Sequence, residues 1–300
     1  MNTRRILAVA AAWTMGAAGL AGPLLAAETI TVKGSDTMVI LGQRWAEEYM
    51  KANKDVTIQV TGGGSGTGIA ALINGTTTLA NSSRPIKAEE KEAAKKNGSD
   101  VIEFKTAMDA LAVVVNADNP INHLTMQQIG KIYTGYINNW KQVGGPDKRI
   151  LRYTRESNSG TYVFFKEHVL NNRDYAADAQ TMPGTSAVAE AVSKDAAGIG
   201  FGGVAYFADN PKLRILKIAK DDKSEPISPL LTGGKINFEV VWSQTYPISR
   251  YLYVYSAGQP KGAAKAYLDW ILGPVGQQIV EKIEYVPMPG HAGSERTAAN

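Results

Sequence analysis

Three hundred residues with 44% hydrophobic and 20% charged composition exclude a disordered chain and are long enough for two lobes with cores of their own. The formal charge of +4 comes with lysines and acids interleaved, as in "KAEEKEAAKKNGSD", which is a solvated helix face and not a nucleic-acid footprint. Cysteine is absent, which excludes disulfides and thiolate metal ligands.

The chain opens "MNTRRILAVAAAWTMGAAGLAGPLLAAETI", with Arg4 and Arg5 ahead of an apolar run that ends in small residues. This is the layout of a secretory signal over residues 1–27, with cleavage expected near Ala26 or Ala27. The run is long enough for a membrane anchor, but Gly16, Gly19, Gly22 and Pro23 interrupt it, and no cysteine follows to carry a lipid. The mature chain is expected free in solution, as a monomer with no stable membrane anchor and no nucleic-acid partner.

After the leader, strands and helices alternate. "ETITVKG" alternates like a strand, and the next segment sets Met38, Leu41, Trp45 and Tyr49 at helical spacing. Strand "DVTIQVTG", helix "GIAALING", an apolar step at "TTLANSS", a charged helix after Pro85 and strand "VIEFKTAM" follow. "ALAVVVN" suits a strand buried on both faces. Helices at "TMQQIGKIYTG", "TYVFFKEHVL" and "TSAVAEAVSKD" flank strand "RILRYTRE" and the glycine-punctuated "AAGIGFGGVAYF", read as a strand packed close against a helix. Turn chemistry marks "VGGPDKR" and "AKDDKSEPISP" as loops. The aromatic strand "SRYLYVYSAG" and helices around "KGAAKAYLDWILG" and "VGQQIVEKIE" close the chain. The order predicts an α/β fold. Tyr251, Tyr253 and Tyr255 at period two read as one strand face, and Trp45, Trp140 and Trp270 as core.

The familiar glycine motifs fail on "TGGGSGTGIAALING". A Walker A turn needs Lys after its last glycine, and Gly68 is followed by Ile69. Gly66, Gly68 and Ala71 fit G-x-G-x-x-A, but no acidic residue ends the next strand. A nucleophile elbow needs a second glycine where Thr67 stands. His123, His168 and His291 are scattered without metal-ligand spacing, so no base or metal site is indicated.

One construction instead occurs at three places. Strand "TITVKG" leads through Ser35, Asp36 and Thr37 into a helix; "TIQVTG" leads through Gly64, Ser65, Gly66 and Thr67; "ILRYTRE" leads through Ser157, Asn158, Ser159, Gly160 and Thr161. Each gathers backbone N–H groups and small hydroxyls at the positive end of a helix, which physics makes an anion site. Arg84 in "NSSRPIK" and Arg155 in "YTRESNSGTY" add guanidiniums able to fork onto two oxygens of one anion.

With "VKGSDTM", "TGGGSGTG", "SSRPI", "RESNSGT" and "AKAYLDWILGPVGQQIVEKIEYVP", nearly the whole mature chain resembles the periplasmic phosphate-binding proteins of bacterial high-affinity phosphate ABC transporters. The resemblance implies a type II periplasmic binding protein: two α/β lobes, each a mixed sheet flanked by helices, joined by two crossover strands, for which "ALAVVVN" and "SRYLYVY" are candidates. It implies one lobe over 28–116 with 247–300 and another over 117–246, with inorganic phosphate held between them, no cofactor, no catalysis, and delivery to an ABC permease and its ATPase. Carried over, Ser35, Asp36, Thr37, Ser65, Arg155, Ser159, Gly160 and Thr161 are expected to contact the anion, with Arg84 beside them. Where some members read "SDAP", this chain has Ser82, Ser83, Arg84 and Pro85, so Ser83 replaces the family's proton-accepting aspartate. Asp109, or else Asp36, is expected to take that role. Phosphate near neutrality carries a proton and sulfate does not, so an ionised carboxylate accepts from the first and repels the second. A secreted phosphate-ester hydrolase, or a binding protein for sulfate, molybdate or a phosphonate, are the alternatives.

Overall fold

The computed structural model describes residues 28–291; the expected signal over 1–27 lies outside the described residues. Strand β1 (Glu28–Gly34) passes through the short turn Asp36–Met38 into α1 (Val39–Ala52), and β2 (Val56–Gly63) into α2 (Ser65–Ile73). Next come β3 (Leu79–Ser82), α3 (Ala88–Lys96) and the long β4 (Val101–Asn116). The middle of the chain holds β5 (His123–Thr125), α4 (Met126–Tyr133), β6 (Leu151–Arg155), α5 (Gly160–His168), β7 (Gln180–Met182), α6 (Gly184–Lys194) and β8 (Gly198–Gly203). Short β9 (Leu213–Ile215), β10 (Lys217–Ala219) and α7 (Phe238–Trp242) precede β11 (Ser249–Ala257), α8 (Gly262–Leu272) and α9 (Pro274–Lys282).

The main sheet runs β2-β1-β3-β11-β4-β8-β6-β7, with β9 also on β4, and a separate pair joins β10 to β5. Strands β1, β2 and β3 pair in parallel, as do β6, β7 and β8, while β11 and β4 are antiparallel to their neighbours. The sheet is therefore mixed and flanked by helices, and its two parallel ends are joined through β4 and β11. Both predicted crossovers are strands of this junction.

The sequence reads "VIEFKTAM" and "ALAVVVN" as separate strands; they form one sixteen-residue strand. Its first part alternates half-buried and exposed residues, and from Thr106 onward every residue is buried. The change follows a change of partner: Val101 to Ala110 pair with β11, and Leu111 to Val115 pair with β8. A strand that leaves a sheet edge for a two-sided core loses its period-two signal at the seam, which imitates a break.

Apolar side chains gather on both faces. Ile30, Val32, Trp45, Leu252, Leu268 and Val280 share one core with α1, α8 and α9, and Ile69, Leu72, Tyr253 and Tyr255 form a smaller one beneath α2. The largest contains Leu111 to Val115, Ile129, Trp140, Phe165 and Phe201. Met38, Leu41, Trp45 and Tyr49 lie at or below 5% exposure, which accounts for α1: its buried stripe recurs at helical spacing, and each large side chain buried contributes about 1.5–3 kcal/mol. Trp45 donates from Nε1 to the Gly276 carbonyl at 2.8 Å, and Trp140 to Ala197 at 3.0 Å, so both indoles are core residues with their polar edge satisfied. In β8, a Cβ at Gly200 or Gly202 would overlap Val188 or Thr185 of α6, the close strand-to-helix approach expected there.

Candidate functional site

The three serine-rich helix starts converge. Thr37 Oγ1 and Thr161 Oγ1, from loops 124 residues apart, are 2.8 Å from each other. Thr161 Oγ1 is 3.4 Å from Ser83 Oγ, and Ser83 Oγ is 3.4 Å from Ser65 Oγ, which accepts the Ser83 N–H at 3.1 Å. Ser35, Thr37, Ser65, Ser83, Ser159 and Thr161 are all buried. The chain path brings them together: β1, β2 and β3 end toward the middle of β4 from one end of the sheet and β6 from the other, and all but Ser83 lie at the start of a helix or helical turn, whose first N–H groups have no partner within it.

Glycine makes the approach possible. Gly64 precedes α2 with φ near 90°, a conformation that other residues rarely adopt. A Cβ at Gly160 would stand 2.8 Å from Ser83 Oγ and closer still to Ser65 Oγ, so only glycine lets α5 come this near to α2 and the loop after β3. Asn158 ties the same surfaces together: its carbonyl accepts Gly66 N–H at 3.0 Å, and its amide donates to the Gly63 carbonyl and Thr67 Oγ1, each at 3.0 Å.

Arg155 ends β6 fully buried. Its Nη2 donates to Asp36 Oδ2 at 2.7 Å and its Nη1 to Thr185 Oγ1 at 2.9 Å; Nε faces Glu156 at 3.4 Å without completing a hydrogen bond. Asp36 Oδ1 accepts Gly63 N–H at 2.8 Å, so both of its oxygens are engaged. The residue expected to offer donors thus offers its carboxylate, and holds Arg155 to the glycine loop. Ser159 caps α5 by accepting Tyr162 N–H at 3.3 Å, the ordinary duty of a serine in that position.

Arg84 departs from expectation. Its Nη1 and Nη2 fork onto the two oxygens of Glu90 at 2.8 and 2.6 Å, and Nη1 also donates to the Pro85 carbonyl. Glu90 sits in the first turn of α3, six residues on, and captures the fork that an anion was expected to occupy. Burial pushes the Glu90 carboxyl up, but its bonds to Arg84 and the Lys87 N–H outweigh this and leave it below its ordinary value.

Asp109 is 1% exposed. Arg250 donates to its Oδ2 from Nε at 3.0 Å and from Nη2 at 2.7 Å, while Oδ1 completes no hydrogen bond; the carboxyl as a whole lies beside Gly203 and near the Val204 amide. Burial pushes the Asp109 carboxyl above its ordinary value, against the pull of Arg250.

Residues 21–275 match a PBP superfamily domain. The chain is 34% identical over 273 residues to the phosphate-binding protein PstS of Pseudomonas aeruginosa, an alignment covering 85% of this chain and 82% of that one. It is 32% identical over 278 residues to Protein SphX of Synechococcus elongatus, covering 89% and 80%. It belongs to the PstS family of phosphate-binding proteins. Among solved structures, a phosphate ABC transporter substrate-binding protein from Clostridium perfringens, with bound phosphate, superposes with a TM-score of 0.76 at 27% identity, covering 87% of this chain and all of that one. A phosphate transport receptor from Vibrio cholerae gives 0.67 at 25%, with the same coverage.

Several residues of this PstS-family chain contribute without having been legible. Arg250 was hidden in "SRYLYVY", although a charge inside an apolar strand is itself a signal that it meets a buried partner. Its Nη1 also donates to the Ser83 carbonyl at 3.1 Å. Tyr206 donates to the Asp36 carbonyl at 2.6 Å and Tyr285 to the Thr37 carbonyl at 2.5 Å, which ties down the carbonyls of that loop. Nothing local in the sequence marks either tyrosine. Among the described residues, no group of three or more His, Cys, Asp or Glu is placed to hold a metal ion, and no helix is long and apolar enough to cross a membrane.

Proposed function

We propose that the buried hydroxyl cluster is the seat of one inorganic phosphate ion, which this protein captures outside the cytoplasm and passes to an ABC permease driven by its ATPase. The observation that carries the reading is the meeting of Thr37, Ser65, Ser83 and Thr161 within 2.8 to 3.4 Å of their neighbours, three of them at helix starts whose positive ends favour an anion. Ser35 and Ser159 hydroxyls, the Gly160 N–H and Arg155 complete the donors. Ser35 Oγ is buried without a partner, and a small tetrahedral oxyanion would satisfy it. Asp36 orients Arg155, and Asp109 receives the proton of the anion. Arg84 acts beside the site, through Glu90.

The lobes we assign are 28–116 with 247–300, and 117–246. The separate cores support two lobes that divide within β4, and the change of partner after Ala110, with Leu111 to Val115 in the core of Phe165 and Phe201, favours a boundary nearer 110 than 116. Thr37, Ser65 and Ser83 then face Gly160 and Thr161 across the cleft, and the protein works as a monomer by binding without turnover.

Titration calorimetry with phosphate, sulfate, molybdate and a phosphonate tests this. Tight, near-stoichiometric binding is expected for phosphate alone, and Arg155→Ala should weaken it at least about 30-fold, since truncating one member of a buried charged contact costs about 2–5 kcal/mol. Equal heats for sulfate and phosphate would remove the carboxylate from the reading. Turnover of a phosphate ester would replace binding with hydrolysis.

A further inference from the structure

Asp109 and Arg250 stand directly opposite each other on β4 and β11, the strands that join the lobes. Each side chain is 1% exposed. A buried ion pair of this kind is seldom there for stability, because desolvation consumes most of the attraction. Its geometry is also one-sided: both strong bonds from Arg250 end on Oδ2, and none reaches Oδ1. The other edge of the guanidinium is fixed as well. Nη1 donates to the Ser83 carbonyl at 3.1 Å, Nη2 makes a long contact of 3.5 Å to Thr37 Oγ1, and the Phe164 ring lies 5.5 Å from Cζ. Arg250 thus touches two of the loops that form the hydroxyl cluster and cannot turn without releasing both.

We propose that Arg250 is a positioning residue that makes Asp109 a one-sided acceptor: it occupies Oδ2 and presents Oδ1, ionised, to the proton of the bound anion, and so sets the preference for a protonated over a fully ionised tetrahedral oxyanion. This rests on the reading of Asp109 given above and adds the residue that governs it. The chemistry needs two things from Asp109. Its free oxygen must keep one orientation, and it must remain a carboxylate, because a carboxylic acid would donate to sulfate as readily as it accepts from phosphate. Burial works against the second, and Arg250 opposes burial. The other charged or titratable groups around the pair are Tyr246 before β11, Tyr285 in the C-terminal segment and Arg155 at the end of β6. The tyrosine hydroxyls are pushed far up by burial and stay neutral, which leaves Arg250 as the cation in hydrogen-bond contact with the carboxylate.

The test is competition between phosphate and sulfate, on the full chain, at about pH 6 and about pH 8, with phosphate counted as its monoprotonated form. Arg250→Lys keeps a charge but loses the planar fork; it is expected to lower the phosphate-to-sulfate affinity ratio at least about tenfold and to make the ratio fall toward low pH. A purely structural Arg250 would weaken both anions alike, and an unchanged ratio overturns the proposal. Asp109→Asn separates the two readings. If it keeps the wild-type ratio, the Asp109 reading itself fails; if it collapses the ratio while Arg250→Lys does not, only the role of Arg250 fails. Wild-type protein decides the matter even if the lysine variant does not fold: its ratio should be flat between the two pH values, and a fall toward pH 6 would mean that Arg250 does not hold the proton off Asp109.

Discussion

Gly160→Ala isolates the space between the two sides of the cluster from every other property of the site. Position 160 is the first residue of α5 and has no positive φ, so alanine fits its backbone and should add slightly to the intrinsic stability of the helix. The added methyl has no room, however: it would stand 2.8 Å from Ser83 Oγ, 2.9 Å from Ser65 Cβ and nearer still to Ser65 Oγ. All of these belong to the opposite side of the proposed cleft. Relief therefore comes from holding α5 away from α2 and the loop after β3, and overpacking of this size costs about 1–3 kcal/mol. If closure is required for binding, affinity should fall by about 5- to 150-fold. Thermal melting without phosphate should change little, while the upward shift in Tm on adding phosphate should shrink. Calorimetry and the two melts measure these quantities. Wild-type affinity in Gly160→Ala would refute the reasoning, because no anion could then be held where α5 meets Ser65 and Ser83.

Three further outcomes are expected. Tyr206→Phe removes a bond to the Asp36 carbonyl and should weaken phosphate binding by about two- to tenfold, seen as a faster release in stopped-flow, for a net bond value of about 0.5–1.5 kcal/mol; unchanged release would make that bond incidental. Gly68→Ala, whose Cβ would overlap the Lys33 carbonyl and Gly34 Cα, should lower stability by about 1–3 kcal/mol in urea unfolding through separation of α2 from β1, and a wild-type midpoint would contradict that packing. Glu90 has a folded-state value depressed below its ordinary 4.5, so its contribution is present above that value and is lost as pH falls through the depressed one. Glu90→Gln should accordingly be less stable than wild type near neutrality, with the gap in Tm closing in acid; a gap that widens as pH falls would reverse the sign of the argument.

The helix starts were legible because their chemistry is local. A strand, a glycine, a hydroxyl and an apolar helix follow within a few residues, and the same short-range order creates both the cap and the helix start proposed to hold the anion. Arg155 was legible for the same reason, lying four residues before Ser159. The partner of Arg84 was not legible, because the sequence shows that a fork exists but not which acid is nearer; Glu90 competes only once α3 has turned back over Pro85.

By itself the sequence determined the α/β order, the three hydroxyl-bearing helix starts and the long apolar strands, since each depends on periodicity or on neighbours along the chain. Only the tertiary structure decided which polar groups face one another. Asp36 meeting Arg155, Arg250 meeting Asp109, and Tyr206 and Tyr285 meeting the first loop span 119, 141, 170 and 248 residues. No local pattern encodes such pairs, because a buried charge records in the sequence only its need for a partner, and packing selects which one it finds.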